Sequence, residues 1–364
     1  MIRAAGARAT RKRARQHVRL RDHIVSPRMQ SIYARHCVLF TQWAFGTDYL
    51  PSDLNAEAVD DALAAYIEAL WQEGEPKSWA TYTLAGIQHF APRLRRHIPA
   101  AWRLRSAWDK LELPERAPPL TLDAVRALAG LACEISHERV AAGLMLAFHC
   151  LLRTGELLAA KAGDFEFSAD GTKGLLNLHV TKGGARRAQQ EMVTIDDAIL
   201  ARWLQSIVRN LLPGDPLINL SHAKFRSLFA DLCRTLALTQ MSFKPYSLRR
   251  GGATFDYRRF GNLDRTALRG RWACLRTARI YITDGLATQQ EINYTSEHWT
   301  YFRRFHGVLT AVSRQCGEGG RSRSSRHAVP PRAAAAAGSI LCPGLVGRDG
   351  LSRQRVRGRW RQGP

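Results

Sequence analysis

The stretch that decides the fold of this 364-residue chain is Leu151-Leu152-Arg153-Thr154-Gly155-Glu156-Leu157-Leu158, an apolar segment interrupted by one arginine and one glutamate. Side chains three residues apart lie on the same face of a helix, so Glu156 is expected to orient the guanidinium of Arg153. An arginine directly after two leucines also suits the capping of a helix C-terminus. The stretch alone leaves both interpretations open.

Three later stretches complete the pattern: Pro245-Tyr246-Ser247-Leu248-Arg249-Arg250-Gly251-Gly252-Ala253-Thr254, then Gly270-Arg271-Trp272, and Ala278-Arg279-Ile280-Tyr281. Arg249 follows Tyr246 by three residues, and Tyr281 follows Trp272 by nine. Each stretch has a simpler interpretation: the arginine pair as a solvated helix face, and the aromatic side chains as parts of a hydrophobic core.

In this order, the stretches resemble the conserved boxes of the tyrosine recombinase (phage integrase) family. That family has an arginine in a Leu-Arg-x-x-Glu-Leu turn, a lysine in a β-hairpin, and His-x-x-Arg at a helix start, followed by His or Trp nine residues before a tyrosine. The resemblance spans about residues 121–290, and the helical unit before it fits the family's core-binding domain in kind. It implies a nucleophile at Tyr281 and a pair of phosphate-clamping arginines, Arg153 and Arg249.

The resemblance also implies roles for three further residues. Lys182, one of eight lysines against 46 arginines, matches the family's general acid, although an exposed turn lysine explains it as well. Trp272 matches a position from which a ring N–H donates to the phosphate. Tyr246 stands where the family usually has histidine; a phenol with a pKa of about 10 acts mainly through hydrogen bonds, so this departure bears on activity.

These residue types suit DNA strand cleavage without water, metal or ATP. A tyrosine hydroxyl can store the energy of a phosphodiester as a covalent 3′-phosphotyrosyl link. Two planar guanidinium groups match the charge that develops on the nonbridging oxygens, and a general acid protonates the leaving 5′-oxygen. The sequence therefore predicts site-specific DNA recombination and integration, typical of a mobile element, with no metal or small-molecule cofactor.

The charge agrees with a polyanionic partner. The net charge is +23, of which residues 1–28 carry +8 and residues 317–364 another +8, leaving +7 between them. A core of this charge suits double-stranded DNA, and a mildly basic globule with basic tails explains the total nearly as well. The seven cysteines include no C-x-x-C pair, so neither a disulfide framework nor a zinc site is indicated.

Ser26-Pro27 predicts the start of a helix, with Ser26 as its cap. Apolar periodicity predicts further helices, among them those over about 78–95, 122–132, 137–152 and 274–284, and strands that include 191–195.

The predicted fold is mainly α with a small antiparallel β-sheet. We expect a basic disordered arm at 1–28, a helical core-binding-like domain at 29–112, a proline-rich linker at 113–120, a mixed α/β catalytic domain at 121–316 and a disordered basic tail at 317–364. The absence of a long apolar run and of a signal core predicts an intracellular, DNA-associated protein, nuclear if eukaryotic.

Three rival functions remain open at this point. The first is a recombinase-derived protein that binds DNA but no longer cleaves it, and the second is a DNA-relaxing enzyme of the type IB topoisomerase kind. The third is a helical scaffold whose basic tails bind RNA. For recombination itself, the resemblance implies four protomers on two DNA sites, with the segment after Tyr281 docking on a neighbour.

Overall fold

The structure is a computed structural model that describes residues 19, 23–47, 49, 55–113, 116–179 and 191–318. It divides into two compact units: residues 1–119 with 239–247, and residues 120–238 with 248–364. Lys182, the arm up to residue 18 and the tail after residue 318 lie outside the described residues. The functions assigned to the predicted domains remain predictions.

The described residues of the first unit up to residue 113 form four α-helices and a short 3-10 turn. The helices are α1 (Pro27–Gly46), α2 (Ala56–Gln72), α3 (Lys77–Phe90) and α4 (Pro99–Leu111), and the 3-10 turn is Pro92–Leu94. Ser26 caps α1 as predicted, because its hydroxyl accepts the N–H of Met29 at 3.3 Å. The core between these helices is apolar and aromatic, with Leu63, Leu84 and Ile98 almost wholly buried.

The predicted helix over 78–95 is wrong at its end. The helix ends at Phe90, two residues before Pro92. Proline has no N–H to continue the ladder and disfavours helical geometry in the residue before it.

The second unit packs helices around a small sheet. Its helices are α5 (Leu122–Glu134), α6 (Glu138–His149), α7 (Thr154–Ala159), α8 (Ala198–Val208), α9 (His222–Thr235), α10 (Tyr246–Phe260), α11 (Leu263–Gly270), α12 (Leu275–Tyr281), α13 (Asp284–Asn293) and α14 (Ser296–Glu318). Helix α10 begins two residues before the second unit resumes at Leu248. A short 3-10 turn lies at Ala162–Asp164, and another, at Thr239–Met241, falls in the stretch that groups with the first unit.

The sheet confirms the predicted antiparallel arrangement. Strands β1 (Phe165–Phe167), β2 (Gly174–Leu178) and β3 (Glu191–Ile195) follow one another in sheet order as in sequence. Pairing of Leu176 with Val193 directs both side chains into the core. The fold class predicted from the sequence, mainly α with a small antiparallel sheet, is therefore confirmed.

Helix α5 lies at the centre of the second unit. Eight of its thirteen residues are buried, so the helix is apolar over most of its surface. Helix α14 packs along it so closely that a Cβ on Gly130 would overlap the carbonyl oxygen of Phe305. A hydrogen bond between the Thr121 and Tyr294 hydroxyls, 2.9 Å apart, joins the start of α5 to the residues just before α14. In this single chain, α14 thus packs on its own unit.

Three helix boundaries in this unit differ from the sequence prediction. Helix α6 ends at His149 and not at 152, because the chain turns sharply at Leu151, whose φ is +50°. The predicted helix over 274–284 ends at Tyr281, and α13 follows as a separate helix that the sequence did not predict. Its apolar side chains are few and only Ala287 is buried, so it lacks the periodicity that reveals a helix. Among the described residues, no helix is long and apolar enough to cross a bilayer.

Candidate active site

Four of the six candidate residues meet in the second unit. Arg153 precedes α7, Arg249 lies in the first turns of α10, Trp272 follows α11, and Tyr281 is the last residue of α12. Tyr246 begins α10 with 39% of its surface exposed. It groups with the first unit, and Lys182 lies outside the described residues, so the roles of both remain predictions.

Arg249 forms the centre of this cluster. Its side chain is fully buried, its Nη2 donates to the carbonyl of Gly270 at 2.6 Å, and its Nη1 donates to the carbonyl of Leu151. Burial, followed by the nearby positive charges of Arg271 and Arg153, lowers the pKa of Arg249 to about 10. The guanidinium therefore stays protonated at neutral pH, with its charge held inside the protein.

Two aromatic rings cover this guanidinium. Its Cζ lies 4.8 Å from the ring centroid of Trp272 and 5.4 Å from that of Tyr281. The two rings contact each other with their centroids 4.5 Å apart. Such cation–π contacts stabilise a desolvated arginine. The nine-residue spacing of Trp272 and Tyr281 thus corresponds to a direct contact between their side chains.

Glu156 binds several of the arginines. Its carboxylate accepts hydrogen bonds from the backbone N–H of Arg153, at 2.9 Å, and from the guanidinium of the same residue. Its Oε2 also lies 4.0 Å from Nη1 of Arg249. Burial opposes ionisation of Glu156, yet the charges of Arg271 and Arg153 outweigh it and lower the pKa of this carboxyl. The prediction that Glu156 orients Arg153 is confirmed by these contacts.

Local sequence explains why α10 can bring Arg249 into this position. A Cβ on Gly251 would overlap the carbonyl oxygen of Leu120, and one on Gly252 would overlap that of Phe148. The Gly-Gly pair therefore permits the helix to approach the backbone of two other segments. One turn further along α10, the Thr254 hydroxyl accepts the N–H of Thr283 at 3.1 Å and lies 3.4 Å from the carbonyl oxygen of Tyr281. Thr254 thereby fixes the end of the helix that carries Tyr281.

Two residues of this site, Thr254 and Arg271, were not predicted from the sequence. Arg271 contacts Glu156 through Nη2 at 2.6 Å and lies 3.4 Å from Oε2 of Glu191 through Nε. Both residues lie in the stretches quoted from the sequence. Neither stands at a helical or motif spacing from the residue that it contacts, so the sequence pattern gave no signal for either. Their partners are distant in the chain, so only the fold reveals them.

The arrangement can hold an anionic group near a phenol. Arg153, 29% of whose side chain is exposed, is the arginine of the cluster that solvent reaches most easily. The ring Nε1 of Trp272 is buried and has no hydrogen-bond partner in the described part of the chain, so it is a donor that an incoming oxygen can satisfy. The same ranges contain no cluster of metal-ligating side chains.

Comparison with solved structures shows that this is the fold of the tyrosine recombinases, as the sequence resemblance predicted. A structure of the Tn1549 transposon integrase in complex with transposon right end DNA shares 10% identity with this chain at a TM-score of 0.53, and covers 79% of this chain and 98% of its own.

Two further recombinase structures are similar at lower TM-scores. A lambda integrase dimer bound to a COC′ core site shares 16% identity at a TM-score of 0.49, with 73% of this chain and 74% of that chain covered. The XerH site-specific recombinase bound to its difH substrate shares 14% identity at a TM-score of 0.39, with 66% of this chain and 78% of that chain covered. No family model and no curated protein matches the sequence. At 10% identity, the likeness to the Tn1549 integrase shows the fold alone.

Proposed function

We propose that this chain cleaves and rejoins DNA strands at specific sites, with Tyr281 as the nucleophile that forms a 3′-phosphotyrosyl intermediate. The observation that carries the proposal is the packing of the Tyr281 ring against Trp272 and over the Arg249 guanidinium. A tyrosine that attacks a phosphodiester needs a cation close to its hydroxyl group, because negative charge develops on the phosphate oxygens. The Arg249 guanidinium is such a cation and lies 5.4 Å from the centroid of the Tyr281 ring.

In the proposed reaction, the phenol oxygen of Tyr281 bonds to phosphorus as the bond to the 5′-oxygen breaks. Arg153 and Arg249 bind the nonbridging oxygens with their planar donor forks. Lys182 is assigned from the sequence as the donor of the proton that the 5′-oxygen takes up. A 5′-hydroxyl later attacks the phosphotyrosine, which releases Tyr281 and rejoins the strand.

The net charge of +7 between the basic tails supports DNA as the substrate, and the Tn1549 integrase that shares the fold was solved with transposon end DNA. Contacts from arginines and lysines to phosphates would supply most of the affinity, so binding is expected to weaken steeply with salt. By the family resemblance, complete strand exchange requires four protomers on two DNA sites.

The decisive experiment is covalent trapping. A duplex selected for binding from a random-sequence pool is nicked near its centre, so that the freed strand end diffuses away after cleavage. The wild-type chain should form an adduct that survives denaturation, and Tyr281→Phe should abolish it while DNA affinity stays within about threefold, because one hydroxyl adds little to many phosphate contacts. Tyr301→Phe, in α14 of the same unit, is the matched control and should retain the adduct.

An adduct that persists in Tyr281→Phe would assign the nucleophile elsewhere. Tight binding without any adduct in the wild-type chain would favour the rival of a recombinase-derived binding protein. Relaxation of a supercoiled plasmid without recombination between two sites would favour the topoisomerase-like rival.

A further inference from the structure

Arg271 occupies a backbone position that usually belongs to glycine. It follows the last residue of α11 with φ +57° and ψ +39°, its N–H donates to Leu268 at 3.0 Å, and the next N–H, of Trp272, donates to Ala267 at 3.0 Å. This left-handed helix end favours glycine, because a Cβ is crowded there. An arginine at this point indicates that its side chain makes contacts that offset the strain.

Those contacts join three segments of the second unit. The Arg271 guanidinium contacts the carboxylate of Glu156, lies 3.4 Å from that of Glu191 at the start of β3, and reaches the carbonyls of Cys150 and Leu151 at 3.4 and 3.3 Å. Only 7% of the side chain is exposed. It is therefore an internal cation, held between the end of α6, the start of α7 and the sheet.

Glu156 divides its two oxygens between different arginines. Oε1 accepts the guanidinium of Arg153, whereas Oε2 accepts Arg271 at 2.6 Å together with the backbone N–H of Arg153. The exposed fractions are unequal: 29% for the side chain of Arg153 against 7% for that of Arg271. Arg153 is therefore the side chain with the freedom to turn outward.

Release of Arg153 from Glu156 requires another cation. The Glu156 side chain is 4% exposed, and a buried carboxylate that loses its only partner is strongly unfavourable. Arg249 also lies 4.0 Å from Oε2, but its two Nη groups bind backbone carbonyls. Arg271 is therefore the cation that stays hydrogen-bonded to Oε2 when Arg153 leaves Oε1.

We propose that Arg271 is a positioning residue that holds Glu156 while Arg153 turns from this carboxylate to a DNA phosphate. The inference rests on the proposed function, in which a phosphate is the ligand of Arg153. Without Arg271, Glu156 retains Arg153 and the phosphate loses one of its arginines. Arg271 thus acts through Glu156 and does not itself contact DNA.

The test is a cycle of variants read out as the salt dependence of DNA binding. All are made in the Tyr281→Phe background, on the nicked duplex described above, so that no cleavage interferes. Arg153→Ala should reduce the slope of log affinity against log salt concentration by about 0.9, the value for one phosphate contact. Arg271→Gly should reduce this slope by the same amount, and glycine suits the left-handed backbone at this position. The double variant should reduce the slope by no more than either single variant does.

A rescue separates this role from a structural one. Adding Glu156→Gln to Arg271→Gly removes the charge that retains Arg153, so the slope should return to that of the parent. Circular dichroism establishes first that each variant is folded. If Arg271→Gly does not fold, alone or together with Glu156→Gln, Arg271→Gln takes its place in the same cycle and rescue, with the same expected slopes.

Three results would overturn the inference. They are an unchanged slope in Arg271→Gly, a double variant of Arg153→Ala and Arg271→Gly whose slope falls by the sum of the two single reductions, and a slope that Glu156→Gln does not restore in Arg271→Gly. An unchanged slope in Arg153→Ala would overturn it together with the proposed phosphate clamp. A wild-type chain that binds DNA and forms no adduct would overturn the proposed function alone, since the cycle measures only binding.

Discussion

The ring centroid of Tyr281 lies 5.4 Å from the guanidinium carbon of Arg249, so the proposed nucleophile covers one of the arginines proposed to bind the phosphate. In this form of the protein Arg249 is fully buried and its two Nη groups bind backbone carbonyls. A phosphate can reach this arginine only after the Tyr281 and Trp272 side chains move. The cluster is therefore a closed form of the proposed site.

The first prediction concerns this cover. Tyr281→Ala should expose the Arg249 guanidinium, whereas Tyr281→Phe should keep it covered because the ring remains. An arginine-specific dicarbonyl reagent, with modified peptides identified by mass spectrometry, measures the difference. We expect modification of Arg249 to be several-fold faster in Tyr281→Ala, because the side chain is fully buried beneath the two rings and the reagent must reach the guanidinium to react. Equal protection in the two variants would show that Tyr281 does not control access.

The second prediction is a pH dependence of stability set by Glu156. The folded protein lowers the pKa of this carboxyl below its unfolded value of about 4.3. A lowered carboxyl pKa stabilises the fold fully above the unfolded pKa, and this contribution disappears as the pH falls through the folded pKa. Glu156→Gln should therefore lower the free energy of unfolding by about 3–5 kcal/mol near pH 7, because buried arginines lose their counter-charge.

Chemical denaturation at several pH values measures this difference. The difference in the free energy of unfolding between wild type and Glu156→Gln should stay constant from about pH 6 to 8 and become smaller below about pH 4.3. A gap that does not change with pH would mean that the charge of Glu156 contributes nothing and that only its shape matters.

The third prediction uses two glycines of the same unit in opposite surroundings. Gly252→Ala in α10 should destabilise the fold by about 1–3 kcal/mol or more, because the new Cβ meets the carbonyl oxygen of Phe148, which belongs to the backbone and cannot easily move. Gly307→Ala in α14 has no atom within 4 Å of the new Cβ and should stabilise by about 0.5–1 kcal/mol. Thermal or denaturant unfolding measures both. A Gly252→Ala variant as stable as wild type would contradict the close approach of α10 to α6.

The fourth prediction concerns Lys182, which is assigned from the sequence alone. Lys182→Ala should slow adduct formation strongly on ordinary DNA, and a sulfur in place of the bridging 5′-oxygen should restore it, because a thiol with a pKa of about 8.5 leaves without a proton. Lys173→Ala, in the turn before β2, is the control and should behave as wild type on both substrates. A Lys182→Ala variant that binds DNA but stays slow on the sulfur substrate would remove this lysine from the general-acid role.

Local patterns predicted the elements well where apolar periodicity was strong. Helix α5 and strand β3 lie where the sequence placed them, since an apolar run and an alternating segment leave little choice. Helix α13 was missed because it buries only Ala287, so its formation depends on neighbouring helices and not on its own pattern. The nine-residue spacing of Trp272 and Tyr281 matched the family resemblance, and only the structure shows that the two rings contact each other.

By itself, the sequence determined the class of fold and four of the residues that converge, because motif order, spacing and hydrophobic period are properties of the chain. Only the tertiary structure decided how their charges are shared. Arg249 binds a carbonyl 98 residues away and Arg271 a carboxylate 115 residues away. Contacts over such separations depend on how buried backbones and charges are packed and desolvated together, which no local pattern encodes.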